Sequence, residues 1–524
     1  MYRKRNDLNE LVKSLSGGEK RYFTSLSKAF TGKDENPIYQ QLFTLLVNGE
    51  SNLQNQFEDY NEKALTGAKK RLYNNILKSL RLFHQEKSAN IIIMNLLTEV
   101  EILYNLGLSE QALFLLKKAY SLACAYEKFG LVLQILEWEG RLNVVLEIPT
   151  RNQSAIVKEE SDVMEKQMQY RFLENIYGVA ETYKKQHGFA KADLKEEVKS
   201  ITIGAKHMPL LKDCLSEKAR YYFNFIHALY YWMTFDHKSA FEYSKKLLLN
   251  DNNPIPPGDY INGILEHITS CVCLGKFEEA LGGITIGSAF IEDEKLTQSH
   301  AFTVRMFAYK ATYRLIIYNY MGKHKPLRTE IKNTEKELKK YEHIISFFSK
   351  QIILGNLMNA YMGIGELDKA DAVWDSMFNK QAKAVRVDIF SDLYLFRLFS
   401  LLHSKTYSLL PSAALSAVRF YRKDEHAQQR FDVELPIAMF LQKERDYSKP
   451  KVIREVMEAA KKIVQQFIGT LKGINNFQEH YTRYIIWCDA IINDEPYYEA
   501  AARWYNSYTT KQMQLSGTSK KRIK

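Results

Sequence analysis

The sequence predicts an all-α protein, an α-solenoid of helical hairpins carrying an N-terminal helical cap domain. Three observations lead there. The stretch 96–119, LLTEVEILYNLGLSEQALFLLKKA, reads as two amphipathic helices around a tight turn at Leu106-Gly107-Leu108-Ser109. Gly107 suits the left-handed residue that ends a helix, Ser109 caps the next helix, and the small Ala112 lets the two helices approach closely. The same phrase returns at Leu274-Gly275-Lys276-Phe277-Glu278-Glu279-Ala280 and at Gly363-Ile364-Gly365-Glu366-Leu367-Asp368-Lys369-Ala370. Finally, 11 prolines and 24 glycines in 524 residues are too few for a loop-rich chain, and 46% hydrophobic residues give ample material to bury.

The hairpins resemble tetratricopeptide repeats. After the turn glycine that family places a large residue and then an alanine; Phe277 with Ala280 and Leu367 with Ala370 fit, while Ser109 replaces the large residue before Ala112. The later large residue and alanine are Leu116 and Ala119 in the first copy, Ile284 and Gly287 in the second, and Trp374 and Met377 in the third. The proline that often closes a repeat is missing from all three. A fourth copy, Phe235-Asp236-His237-Lys238-Ser239-Ala240, lacks the glycine. Such repeats recur every ~34 residues, whereas these alanines stand at 112, 280 and 370. Intervening hairpins are therefore expected to have lost the signature. A stack of hairpins also explains how 524 residues avoid a single large core.

In order along the chain, residues 1–87 form a basic N-terminal cap with helical patterns at 6–16, 18–30, 37–48 and 67–86. Within it Leu15-Ser16-Gly17-Gly18-Glu19 looks like the signature loop of ABC-type ATPases, but no phosphate-cradling G-x-x-x-x-G-K-[ST] string accompanies it. Ser16 and Glu19 instead have the spacing of a capping box. Residues 88–250 form a first helical-repeat half with a long connecting helix at about 154–187. There Met164, Met168, Phe172, Ile176 and Tyr183 read as a core stripe. The breaker Asn252-Asn253-Pro254-Ile255-Pro256-Pro257-Gly258 opens a second repeat segment, 251–382, in which His324 reads as part of a turn. A C-terminal helical segment, 383–510, has Pro411, Pro436, Pro450 and Pro496 at helix starts or kinks, and 511–524 is expected to be a disordered basic tail.

The excess charge is +12, yet it sits mostly at the ends. Residues 1–87 hold 15 Lys/Arg against 10 Asp/Glu, and 511–524 hold five against none, which leaves the body near neutral. Five cysteines in apolar helical text read as buried free thiols, suited to a reducing compartment. No apolar run approaches the ~18 residues of a membrane span, and the N-terminus is not a secretory signal. A cytoplasmic location follows as an expectation.

No H-E-x-x-H, C-x-x-C, G-x-S-x-G or G-x-G-x-x-G string is present, so neither an enzyme, a metal site nor a cofactor is expected. His267 with Cys271 reads as core. The family resemblance implies a concave surface lined by the first helix of each hairpin. Carried over, that surface is Thr98, Glu101 and Asn105 in the first copy, Asn262, Glu266 and Thr269 in the second, and Asn356 and Asn359 in the third. The last two, three residues apart, read as solvated on one helix face. The expected function is a non-catalytic protein–protein interaction scaffold with a protein or peptide partner. The second expectation is a nucleic-acid-associated regulator, because 67–86 forms an amphipathic helix with Lys69, Lys70, Arg71, Lys78 and Arg81 against Glu86.

Overall fold

One recurrent turn sets the helix ends of this chain. In a computed structural model, which describes residues 7–30, 38–49, 57, 62–86, 88–146, 148–190, 194–248, 254–292, 300–378, 387–423, 431–470 and 479–515, Gly107, Gly275 and Gly365 have φ of 77°, 69° and 79°. The residue after each glycine donates its N–H five residues back, Leu108 to Leu103, Lys276 to Cys271 and Glu366 to Tyr361, each at 2.9 Å. This paired-bond C-cap satisfies carbonyls that a helix end would leave open.

The same conformation recurs at Glu127, Phe235, Gly322, Lys405 and Asp494, with φ between 46° and 66°. Four of these five lack glycine, although a side chain in the left-handed region costs about 1–2 kcal/mol. At Phe235 the compensation is visible: its ring is buried and stacks on Phe189, centroids 4.5 Å apart. The same helix-ending turn thus forms at Glu127 and Phe235 without a glycine and at Gly322 with one. His324 is corrected from turn to helix: Gly322 makes the turn, and His324 is the first residue of the helix after it.

The described residues form 23 α-helices and no strand, in two compact units, 1–167 and 168–524. In the first unit α1 (Asp7–Ser14), α2 (Gly17–Phe30), α3 (Ile38–Val47) and α4 (Glu62–Phe83) enclose Leu8, Val12, Phe23, Leu42, Phe43, Leu72 and Ile76. The Ser16–Glu19 capping box forms reciprocally: the Ser16 N–H donates to Glu19 Oε2 at 2.7 Å, and the Glu19 N–H to Ser16 Oγ at 3.2 Å. The other Glu19 oxygen meets His84 Nε2 at 2.7 Å. Three helices follow, α5 (Ala89–Asn105), α6 (Ser109–Ala125) and α7 (Phe129–Val145), each packed on the next, with Ala112 and Ala119 buried.

The 35-residue α8 (Gln153–His187) crosses the division between units. Its expected core stripe is corrected. Ile176 and Tyr183 are buried, but Met164 and Met168 are exposed. Steps of four residues overrun a helical turn by about 40° each, so the stripe drifts off one face. Cys124 is likewise exposed, while the other four cysteines are buried free thiols.

The second unit continues through α9 (Leu194–Ile201) to five consecutive hairpins: α10 (Glu217–Met233) with α11 (His237–Lys245), α12 (Pro257–Cys273) with α13 (Phe277–Glu292), α14 (His300–Tyr320) with α15 (His324–Lys340), α16 (Phe347–Gly363) with α17 (Leu367–Phe378), and α18 (Val387–His403) with α19 (Leu410–Tyr421). Their turn residues, 235, 275, 322, 365 and 405, recur at intervals of 40, 47, 43 and 40 residues. These intervals exceed the ~34 residues that the repeat resemblance implies. Each first helix packs on the first helix of the next hairpin: α10 on α12, α12 on α14, α14 on α16, and α16 on α18.

Beyond α20 (Glu434–Leu441) and α21 (Pro450–Thr470), the chain turns back. α22 (Glu479–Asn493) packs on α18 and α12, and α23 (Tyr497–Leu515) on α14 and α16. Phe277 stacks on Tyr505, Trp504 packs on Tyr320, and Tyr508 Oη donates to the Leu274 carbonyl at 2.8 Å. Residues 511–515, expected to belong to a disordered tail, continue α23, and the rest of that tail lies outside the described residues.

Candidate functional site

The first helices of the second unit converge on one cavity of about 420 Å³, within the range of small-ligand and side-chain pockets. Helical periodicity builds its walls. From α14 come Ala308, Tyr309, Thr312, Tyr313 and Ile316, a stripe at one, four, five and eight residues beyond the first. α16 adds Phe348, Ile352 and Asn356; α12 adds Thr269, Val272 and Cys273; α18 adds Asp392 and Phe396. The end of α8 supplies Glu181, Lys184 and Lys185, and α22 supplies Arg483.

The charges lining the cavity are matched. Lys184 Nζ stands 2.5 Å from Glu266 Oε2, Lys185 Nζ 3.5 Å from Glu181, and Arg483 Nη2 3.3 Å from Asp392. Tyr484 also donates to Asp392. Burial pushes the Glu266 carboxyl above its ordinary range, and the facing Lys184 ammonium opposes that shift. For Lys184 burial acts against the charge, but the Glu266 and Glu181 carboxylates prevail and hold its pKa above the usual value. The ammonium also lies 4.4 Å over the Trp232 ring, a favourable cation–π position. Burial keeps the Tyr309 and Tyr313 hydroxyls protonated. Trp232 is 6% exposed, and its indole N–H has no hydrogen-bond partner among the described residues. The result is an aromatic chamber whose charges are internally matched.

Of the eight residues carried over from the repeat resemblance, Thr269 and Asn356 line this cavity. Thr269 Oγ1 shares a 2.6 Å hydrogen bond with Tyr313 Oη, and Asn356 Nδ2 donates to its own helix at Ile352 O. Glu266 is 4% exposed and stands behind Lys184 as its counter-ion. Asn262 bridges Tyr177 (3.2 Å) and Arg305 (2.7 Å). Asn359 is 4% exposed, which corrects its expected solvation: Asn319 of the neighbouring α14 closes over it, donating to its carbonyl at 3.4 Å. Thr98, Glu101 and Asn105 lie in the first unit, exposed on α5 beside Met94 and Ile102.

Sequence reasoning missed Lys184, Trp232, Tyr309, Tyr313, Asp392 and Arg483. The i, i+4 pair Tyr309–Tyr313 carried the only local signal. The charges are brought together from α8, α18 and α22, which no local window spans.

A second cavity of about 360 Å³, among α13, α14 and α15, holds Lys310, Arg314, Glu330 and Glu337. His267 is core as expected, between Ser244 Oγ (3.2 Å) and Cys271 Sγ (3.5 Å), and burial pushes that thiol up to about 12. Such a thiol is no nucleophile at neutral pH. Among the described residues, no three His, Cys, Asp or Glu side chains converge as metal ligands, and no helix is long and apolar enough to cross a membrane.

No family model, curated protein or solved structure matches the chain.

Proposed function

We propose that the protein is a non-catalytic interaction scaffold with tetratricopeptide-like repeats, and that the second unit binds a segment of a protein partner in the cavity of its first helices. The observation that carries this reading is the convergence of α12, α14, α16 and α18 on one aromatic-walled chamber. Stacked hairpins use their first helices in this way to build extended binding surfaces. Because each lining cation already has a carboxylate, a charged guest would have to break a buried pair. An uncharged apolar or aromatic side chain needs no such exchange.

A random-peptide display screen on the full chain tests the reading, with Ile352→Trp as comparator. Ile352 is half-buried in the cavity wall, so the larger ring fills the chamber from its rim. The expected result is a set of peptides with an uncharged aromatic or aliphatic anchor that lose at least tenfold in affinity for Ile352→Trp. Peptides that bind both proteins equally would place recognition elsewhere.

A further inference from the structure

The N-terminal module displays a different chemistry. α4 carries Lys63, Lys69, Lys70, Arg71, Lys78 and Arg81 against a single acid, Glu62. Packing sorts the two faces of this helix. Leu65, Ala68, Leu72 and Ile76 are spent in the module's core, which leaves Lys63, Lys70, Arg71, Lys78 and Arg81 exposed. At 100° per residue those five cations fall within an arc of about 100°, and Lys63, Lys70 and Arg81 lie within about 20° of one line. The stripe from Lys63 to Arg81 runs about 27 Å at 1.5 Å per residue. Among the described residues none of these cations has an ion-pair partner. What sets α4 apart is its balance of six cations against one acid, whereas α15, whose Lys325, Lys332, Lys336 and Lys339 also have no ion-pair partner among the described residues, carries Glu330, Glu335 and Glu337. Glu19, the acid that meets the end of α4, is already held by His84 and Ser16.

We infer that the exposed face of α4 binds the phosphate backbone of duplex nucleic acid. A band of exposed cations along one helix face, without ion-pair partners among the described residues, matches a polyanion of high linear charge density, and duplex DNA presents one charge per ~1.7 Å of axis. The stripe offers electrostatic contact to phosphates, the sequence-independent part of duplex binding. A membrane surface fits less well. An interfacial helix needs an apolar face to insert, and α4 has buried its own, leaving Leu77 at 43% and Leu82 at 37% exposure.

The test is fluorescence anisotropy of the full chain with a labelled random-sequence DNA duplex, titrated in salt from about 50 to 200 mM. Each phosphate contact contributes a log–log slope of about −0.9, so four contacts add about −3.6. The variant Lys63→Gln/Lys70→Gln/Lys78→Gln/Arg81→Gln should flatten the slope by that amount while retaining the helical circular dichroism spectrum. Lys70→Gln alone should remove about 0.9, and gives a readout if the fourfold variant does not fold. Lys369→Gln/Lys449→Gln and the cavity variant Ile352→Trp should leave the slope unchanged. Absence of duplex binding at low salt, or equal slopes for wild type and the fourfold variant, overturns the inference. Loss of binding to phosphatidylserine vesicles in the fourfold variant, with no duplex binding by either protein, assigns the stripe to a membrane surface and overturns it too.

Discussion

Gly322 and Gly107 share a left-handed backbone, but their surroundings give them different tolerances. A Cβ on Gly107 would meet open space, whereas on Gly322 it would stand 2.3 Å from the Tyr498 carbonyl oxygen and 2.6 Å from the Ala502 methyl. Gly107→Ala should therefore cost only the backbone term, about 1 kcal/mol. Gly322→Ala should cost a further ~1–3 kcal/mol from overpacking. Denaturant midpoints check this, and equal shifts would mean that α23 does not rest on that turn. The Lys184–Glu266 pair gives a second residue-scale test. Lys184→Met leaves the Glu266 carboxylate buried without its cation and should destabilise by about 3 kcal/mol. Lys184→Met with Glu266→Leu should recover most of that loss, because two apolar groups leave no charge uncompensated. A double variant as unstable as the single one would show that the aliphatic stem of Lys184 matters more than its charge.

At the scale of elements, hairpin packing depends on small residues where helices meet. Ala112 and Ala280 are fully buried. Ala280→Trp should destabilise by about 1–3 kcal/mol through overpacking, and thermal melts of that variant measure it. α23 is an element of another kind, a late segment laid across earlier turns. Truncation after Pro496 removes Trp504, Tyr505 and Tyr508 from Phe277, Tyr320 and the Leu274 carbonyl. Amide exchange at the ends of α12 and α14 should then accelerate, with no comparable change in α18 and α19. Unchanged exchange throughout would make α23 an appendage rather than a support.

For the whole molecule, the relevant fact is that the apolar core comes in separate pieces. The N-terminal module buries its own cluster between Leu8 and Ile76, while the large cluster of the second unit begins at Leu173. Four of the five tryptophans, Trp232, Trp374, Trp487 and Trp504, belong to the second unit, and only Trp138 to the first. Tryptophan fluorescence therefore reports mainly on unit 2, while far-ultraviolet circular dichroism counts every helix. Urea unfolding followed by the two probes should give non-coincident transitions, because separate cores need not melt together. Superimposable curves would show that both units unfold as one cooperative body.

Helix identity was legible in the chain itself. Periodic apolar residues, the Ser16–Glu19 capping box, turn glycines at 107, 275 and 365 and prolines at helix starts are short-range signals, and each maps onto an observed element. The turns at Glu127, Phe235, Lys405 and Asp494 were not all legible, because each holds a side chain in a conformation for which local preference favours glycine; packing on Phe189 supports it at Phe235, whereas Lys405 and Asp494 are exposed and pair with each other. The basic character of α4 was also readable, but that five of its cations stand exposed, with no ion-pair partner among the described residues, is a property of the packed helices. Only the tertiary structure decided the cavity. Which face of α14 or α16 is enclosed depends on where α8, α18 and α22 come to lie. Asn359 looked solvated beside Asn356 until Asn319 of a neighbouring helix covered it. Periodicity states that a helix has a buried face; the identity of what buries it comes from residues 40 or more positions away, brought near by the fold.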